Sequence, residues 1–206
     1  MKLRSHALVV AVFLLIAVSS VQYTYVSNDR EHEWYVTQQG TGIHSKINCG
    51  PAVAVMAIKW VNPPDYEITV QDAASKYNPG PNGGWHIRNV RNFVALHGVK
   101  TTIEKYQGHK TLTDALDKGN IIIVGIDARK INNLYYPPSD AHFIIVKGYR
   151  QINDKVVFEV YDPVTWKGKN GKDVNYLAEE VSEAIFNWHE NVVVVFTGRR
   201  HVYGID

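Results

Sequence analysis

The chain carries one cysteine in 206 residues, Cys49. It lies in Asn48-Cys49-Gly50-Pro51, directly ahead of the apolar run Ala52–Ile58. Gly50 permits close backbone approach, and Pro51 suits the first turn of a helix, where its missing N–H leaves no bond unmade. A thiol at a helix N-terminus sits at the positive end of the macrodipole, which favours the nucleophilic thiolate. Two readings follow. Cys49 is either a nucleophile that forms a thioester or a small buried hydrophobe, since free cysteines are among the most buried residue types. A nucleophilic thiol needs a base within hydrogen-bond reach, and the base needs a group that orients it.

Among nine histidines, position in the chain singles out His142. It opens the β-branched run His142–Val146, after the turn-forming Pro137-Pro138-Ser139-Asp140. Asp162 closes the next such run and is followed by Pro163. Both residues stand ten positions from Ile152, so a hairpin turning there sets them side by side across the ladder. An ordinary hairpin with a polar residue at each end has the same outline. His86, beside Trp85 after Gly83-Gly84, is placed to cap a helix or to line a cleft. No two histidines are three or four apart and there is no His-Glu-x-x-His, so no zinc site is expected. There is no Gly-x-Ser-x-Gly for a serine nucleophile, and Gly80–Gly84 lacks the lysine and strand context of a phosphate loop. No cofactor is expected.

The elements that must position these groups change in kind along the chain. Helical spacing is expected from Cys49 to Asn62-Pro63-Pro64, then over Val70–Tyr77, and over Trp85–His97 with Gly98 as the C-cap. Asn78–Gly84 reads as a turn-rich loop, Val99–Glu104 as a short strand and Thr111–Leu116 as a short helix ended by Lys118-Gly119. β-branched runs then predict strands at Ile121–Ile126, His142–Val146 and Val156–Tyr161, with Asn153-Asp154 supplying hairpin chemistry. A late amphipathic helix would carry Leu177, Val181, Ile185 and Trp188 on one face, before a last strand over Asn191–Phe196. Helices first and an antiparallel sheet afterwards make an α+β fold.

A chain of this length with 45% hydrophobic content can bury one proper core. Its net charge of +2 comes without long runs of like charge, and Arg199-Arg200 reads as solvated surface, so no nucleic-acid partner is expected. Twelve tyrosines and five tryptophans suit a strand-rich fold and a groove for extended substrates. A single cysteine excludes an intrachain disulfide. Lys2 and Arg4 precede the apolar run Ala7–Val18 and the small residues Ser19-Ser20. This is the plan of a secretory signal, with Ala17-Val18-Ser19 as a cleavage site, or of a single N-terminal membrane anchor. No cysteine near position 20 is available for a lipid anchor, and Asp29 and Glu31 beyond the segment place the following domain outside the membrane. The expected organisation is a signal or anchor at residues 1–26, a linker at 27–33 and one domain over 34–206, secreted or in the cell envelope. A lone exported thiol favours a reactive role.

These residues also carry a resemblance. A glutamine upstream of Cys49-Gly50-Pro51, then Asp140-Ala141-His142-Phe143-Ile144-Ile145-Val146-Lys147-Gly148-Tyr149, then Val160-Tyr161-Asp162-Pro163-Val164, is similar to papain-like cysteine peptidases of the bacteriocin-processing (double-glycine) family. The similarity runs in element order from about Val36 to Phe196. It implies a papain-like fold with the Cys49 helix packed on the C-terminal sheet, and a peptide or protein substrate. It also implies Cys49 as nucleophile, His142 as general base and acid, and Asp162 as the group that fixes the imidazole. Papain has asparagine in that third role; aspartate fits the bacteriocin-processing branch. The resemblance further implies a glutamine amide that assists the Cys49 N–H in binding the oxyanion. Gln38 and Gln39 both qualify by type, at a longer interval from Cys49 than is usual in leader-processing peptidases. Gln38, after the strand-like Trp34-Tyr35-Val36, is preferred. The same site can also serve an amidase, deamidase or transamidase, and the same fold a non-catalytic surface-binding module. Gly80–Trp85 and Asn132–Pro138 are the loops expected to shape the cleft.

Overall fold

Helix α1 (Cys49–Val61) is apolar around nearly its whole circumference, and every residue from Gly50 to Ile58 is buried. A helix of this composition has to be enclosed on most sides. Helices α2 (Val70–Lys76) and α3 (Ile87–Leu96) enclose it from one side. A capping box between Thr69 and Asp72 starts α2. From the other side α1 meets a seven-stranded antiparallel sheet. Its strands are β1 (Tyr23–Ser27), β2 (Thr101–Lys105), β3 (Ile121–Ile126), β4 (His142–Ile152), β5 (Lys155–Trp166), β6 (Lys169–Leu177) and β7 (Asn191–Val195). They are ordered β2-β7-β3-β4-β5-β6, with β1 paired to the far half of β4 beyond the end of β3. The chain is seen here as a computed structural model that describes residues 22–77, 83–132, 134–139, 141–186 and 191–196.

The expected α+β arrangement, with the Cys49 helix on an antiparallel sheet, is the arrangement found. Both faces of the sheet are covered. Ile121 and Ile123 of β3 face α1, while Ile122, Val124 and Ile126 face α4 (His109–Leu116) and α5 (Ala178–Phe186). This two-sided burial is why the central strands read as continuous apolar runs instead of alternating ones.

The hairpin of β4 and β5 turns at Asn153-Asp154, with Asn153 at φ +55° and Ile152 opposite Lys155. The register shifts between Val146 and Gly148, which leaves Lys147 as a bulge residue. Beyond it Ile145 faces Tyr161. Continued by one residue, this register sets Ile144 beside Asp162 and makes His142 a diagonal neighbour two residues further on. The direct pairing of His142 with Asp162 about Ile152 is therefore corrected to a diagonal one. The turn is centred one and a half residues later, and the bulge shifts the ladder beyond it.

Two strands have no counterpart in the expected element list. β6 is polar, with Gly171 and Tyr176 its buried residues, and so lacks the apolar alternation of a strand. β1 is mostly exposed, and all but Ser27 falls in the segment expected as a signal or anchor. The stretch 27–33, expected as a linker, makes several contacts with the rest of the chain. The Asn28 amide donates to the carbonyls of Leu116 and Asn120 at 2.8 and 2.7 Å. Asp29 accepts from Trp34 Nε1 and pairs with buried Lys147, and the Arg30 guanidinium lies 4.1 Å from the Trp60 ring centroid. Trp34-Tyr35-Val36 is irregular backbone, not a strand, and Leu177 ends β6, half exposed, instead of lining the late helix. Trp188 and the apolar segment Ala7–Val18 with its cleavage site lie outside the described residues. Among the described residues no helix is long and apolar enough to cross a membrane.

Gly148 is where β1 seats on β4: a Cβ there would lie 2.5 Å from the Val26 carbonyl oxygen and 3.0 Å from Ser27 Cα. Gly148→Ala is expected to lower stability by about 1–3 kcal/mol, the usual cost of overpacking. In hydrogen-exchange mass spectrometry residues 23–27 should lose protection while the Cys49 helix keeps it. Unchanged protection of 23–27 would show that β1 is not part of the sheet.

Candidate active site

Cys49 is the first residue of α1, half-buried, with buried Asn48 as its N-cap. The Asn48 amide donates to the hydroxyl and carbonyl of Thr41, which ties the preceding loop to the helix start. Gly50 is demanded by packing: a Cβ there would lie 2.6 Å from Trp85 Cβ. The helix start thus lies against Trp85, held by its ring N–H to the Tyr77 carbonyl and by edge contacts with Tyr77 and Phe93.

His142 begins β4 and is 3% exposed. Its Nε2 donates to Asp162 Oδ1 at 2.8 Å, and Cys49 lines the same cleft as the imidazole, close enough to act on its titration. With Nε2 engaged by Asp162, Nδ1 is the nitrogen left for sulfur. Burial disfavours the imidazolium, but the Asp162 carboxylate and its hydrogen bond, with the Cys49 contact added, outweigh it and raise the His142 pKa to about 10. Asp162 is completely buried. Burial alone would raise its pKa; the His142 charge, that hydrogen bond, the Val164 N–H and the Tyr136 hydroxyl bring it below the ordinary carboxylate value. The carboxylate is therefore an anion facing a protonatable imidazole.

The three residues that the sequence singled out thus converge: Cys49 and His142 face one cleft of about 560 Å³, and Asp162 is buried behind His142. Cys49, His142, Gln38 and Gln39 line it, with Trp85 and His86 from one loop, Tyr136 and Pro137 from another, and Val164 and Trp166 from β5. Gly84-Trp85 and Tyr136-Pro137 lie within the two loops expected to shape it. His86 is the N-cap residue of α3, where its N–H bonds the Asn89 side chain, and it also lines the cleft.

A model of the Peptidase_C39 like family matches residues 32–192, well over half of the chain. The chain belongs to that family. The structure of a putative C39-like peptidase from Bacillus anthracis superposes with a TM-score of 0.61 at 12% identity, covering 84% of this chain and 98% of that one. UfSP from C. elegans gives 0.54 at 10% identity, over 84% of this chain and 34% of the other. The peptidase domain of Streptococcus ComA gives 0.49 at 18% identity, over 73% and 92%. No curated protein sequence matches the chain.

The two glutamines of this C39-like chain differ in what they do. Gln38 is 4% exposed, and its Nε2 donates to the Ser45 and Lys46 carbonyls at 3.1 and 3.2 Å, on the loop leading to Cys49. Its Oε1 is buried without a hydrogen-bond partner among the described residues. Gln39 Oε1 accepts from Thr165 N at 2.6 Å and from the Thr37 hydroxyl, which ties it to the end of β5. Sequence reasoning missed Tyr136 and Tyr176, whose hydroxyls donate to Asp162 Oδ2 at 2.8 and 2.9 Å. No motif marks them. Tyr136 falls within a loop expected to shape the cleft; for Tyr176 the sequence signal is the chain's abundance of tyrosine.

The pair makes stability depend on pH in two windows. Asp162, with a depressed pKa, contributes stability that is complete above the unfolded value of about 3.9 and is lost as pH falls through the folded value. His142, with a raised pKa, contributes stability that is complete below the unfolded value of about 6.5. That contribution declines as pH rises through its folded value of about 10. Thermal unfolding of the wild type is thus expected at a lower temperature at pH 9.5 than at pH 5.5. His142→Gln, which can still donate to Asp162, should reduce that difference; an equal difference in both proteins would refute the assignment.

Proposed function

We propose that this protein is a cysteine peptidase that hydrolyses peptide bonds through a thioester on Cys49. The observation that carries this reading is one imidazole hydrogen-bonded to a buried carboxylate and sharing a cleft with a thiol at a helix start. Membership of a peptidase family agrees with it. In this mechanism the Cys49 sulfur attacks the carbonyl carbon and His142 holds the proton. The tetrahedral oxyanion collapses as His142 protonates the leaving amine. Water, deprotonated by His142, then attacks the thioester and releases the acid and the thiol. Asp162 fixes the imidazole with Nδ1 toward sulfur and offsets its positive charge.

The oxyanion donors in this reading are the Cys49 backbone N–H and the Gln38 amide. Gln38 is favoured over Gln39 because its NH2 lies on the loop that enters Cys49, while the carbonyl of Gln39 holds β5. The two Gln38 bonds are at the long end of the normal range, and a charged acceptor forms the stronger bond. The substrate class is a peptide or protein. The charged-then-apolar segment Lys2–Val18 supports export of the domain, as a secreted or membrane-attached protein.

Cys49→Ala is expected to abolish both iodoacetamide labelling and cleavage in a peptide library read by mass spectrometry; surviving cleavage would exclude the nucleophile. A one-dalton gain or a cross-link in place of a cleaved chain would redirect the reading to a deamidase or transamidase. No turnover, with a thiol that titrates at the free value of about 8.5, would redirect it to a binding module.

Gln38→Ala should lower kcat on the order of a hundredfold, well beyond what its change in Tm accounts for. Gln39→Ala should instead lower the Tm and affect kcat less. Reversal of these effects would exchange the two roles.

A further inference from the structure

Four tyrosines from three separate stretches of chain gather on the backbone and side chain of Asp162–Val164. The Tyr35 hydroxyl donates to the Asp162 carbonyl at 3.0 Å and accepts from Gly171 N at 3.1 Å. The Tyr135 hydroxyl donates to the Val164 carbonyl. The hydroxyls of Tyr136 and Tyr176 both donate to Asp162 Oδ2, while Oδ1 accepts from His142 Nε2 and, at 3.1 Å, from Val164 N. A carboxylate offers about four lone-pair positions, and here four donors occupy them. We propose that Tyr136 and Tyr176 are positioning residues that act on His142 through Asp162: their hydroxyls hold Oδ2 so that the carboxylate stays ionised with Oδ1 turned to the imidazole.

The geometry is specific to an anion. All four partners of the carboxylate donate, so an amide at 162 would turn its NH2 either against the His142 and Val164 N–H groups or against two buried hydroxyls. In the second case both hydroxyl protons would need new acceptors. Nor can the carboxylate swing away. A Cβ at Gly171 would lie 2.0 Å from the Asp162 carbonyl oxygen, 2.7 Å from Asp162 Cβ and 2.5 Å from the Tyr135 hydroxyl, so β6 is packed hard against the residue. Tyr136 adds an edge contact to the His142 ring, with centroids 5.8 Å apart, and forms part of the cleft wall. Tyr176 reaches the same oxygen from β6. Burial and the facing carboxylate push both phenol pKa values up, which keeps the hydroxyls as donors. The titratable groups facing Asp162 among the described residues are His142 of β4, Tyr135 and Tyr136 of the cleft loop, Tyr176 of β6 and Tyr35, with Cys49 of α1 reached through His142.

The proposal rests on the reading of Asp162 as the group that orients His142. Its test is the rate of Cys49 alkylation by iodoacetamide across pH 3.5 to 9 in full-length wild type, Tyr136→Phe, Tyr176→Phe and Asp162→Asn, each with a thermal melt. Removing one charge-assisted donor from a buried carboxylate makes it easier to protonate, so the acid limb of each Phe variant should move up by about one pH unit. Asp162→Asn should lose reactivity below neutrality. An acid limb that stays in place while the Tm falls would reduce the tyrosines to packing and overturn the proposal. Both variants act on one oxygen, so either suffices if the other does not fold. A wild-type thiol unreactive below neutrality would instead overturn the underlying reading of the site, whatever the tyrosine variants do.

Discussion

A carboxylate with no solvent exposure sits at the centre of this structure. Leaving an isolated carboxylate in a low-dielectric interior would cost many kcal/mol, and such a group would normally take up a proton instead. Asp162 remains charged because four hydrogen bonds and the facing imidazole replace its water. Each donor comes from a different place: β4 for His142, β5 itself for Val164, the loop before β4 for Tyr136 and β6 for Tyr176. Each one lost leaves a lone pair of a buried charge unsatisfied. The bonds that hold the His142 imidazole on Asp162 thus also link β4, β5 and β6.

The chemistry-bearing residues were legible because they sit at the ends of strongly patterned runs. Cys49 heads the most apolar helix, His142 opens a β-branched run and Asp162 interrupts one before a proline. Their pairing, however, was right for a reason the ladder corrects. A hairpin symmetric about Ile152 sets His142 against Asp162, whereas the turn at Asn153-Asp154 and the bulge at Lys147 make them diagonal neighbours. Diagonal side chains on one face of an antiparallel pair remain within reach of each other, so the contact tolerates that shift. The choice between Gln38 and Gln39 was not legible in the same way. Adjacent residues of one type point to different partners, and only the tertiary placement of Ser45, Lys46 and Thr165 separates them.

The tyrosines show where composition misleads. Twelve of them suggested strand propensity and a substrate groove, and Tyr136 does line the cleft. Yet Tyr35, Tyr135, Tyr136 and Tyr176 spend their hydroxyls on two residues of β5. A buried tyrosine needs a partner for its O–H, and the interior of a sheet rarely provides a spare acceptor. A buried carboxylate and the carbonyls beside a strand irregularity do provide them. The register of β5 against β6 shifts on both sides of Asp162, which frees backbone groups at that point.

The strand that the sequence hid best, β6, is the one that two of the buried charges, Asp162 and Lys147, share. Gly171 and Tyr176 close over Asp162, and Asp173 between them pairs at 2.9 Å with Lys147, whose ammonium also meets Asp29 and lies 5.0 Å from the Tyr161 ring centroid. Asp173 adopts φ +56°, a conformation uncommon for a residue with a side chain. Its polar pattern follows from this work. An edge strand that must bring a glycine, an acid and a tyrosine hydroxyl to two buried ions has no positions left for the apolar alternation by which strands are recognised. The bulge that takes Lys147 out of the β4–β5 ladder and the register shifts beside Asp162 are thus connected through β6. The sheet is irregular where it holds charge, and regular over β3 and β7, where it holds only apolar core.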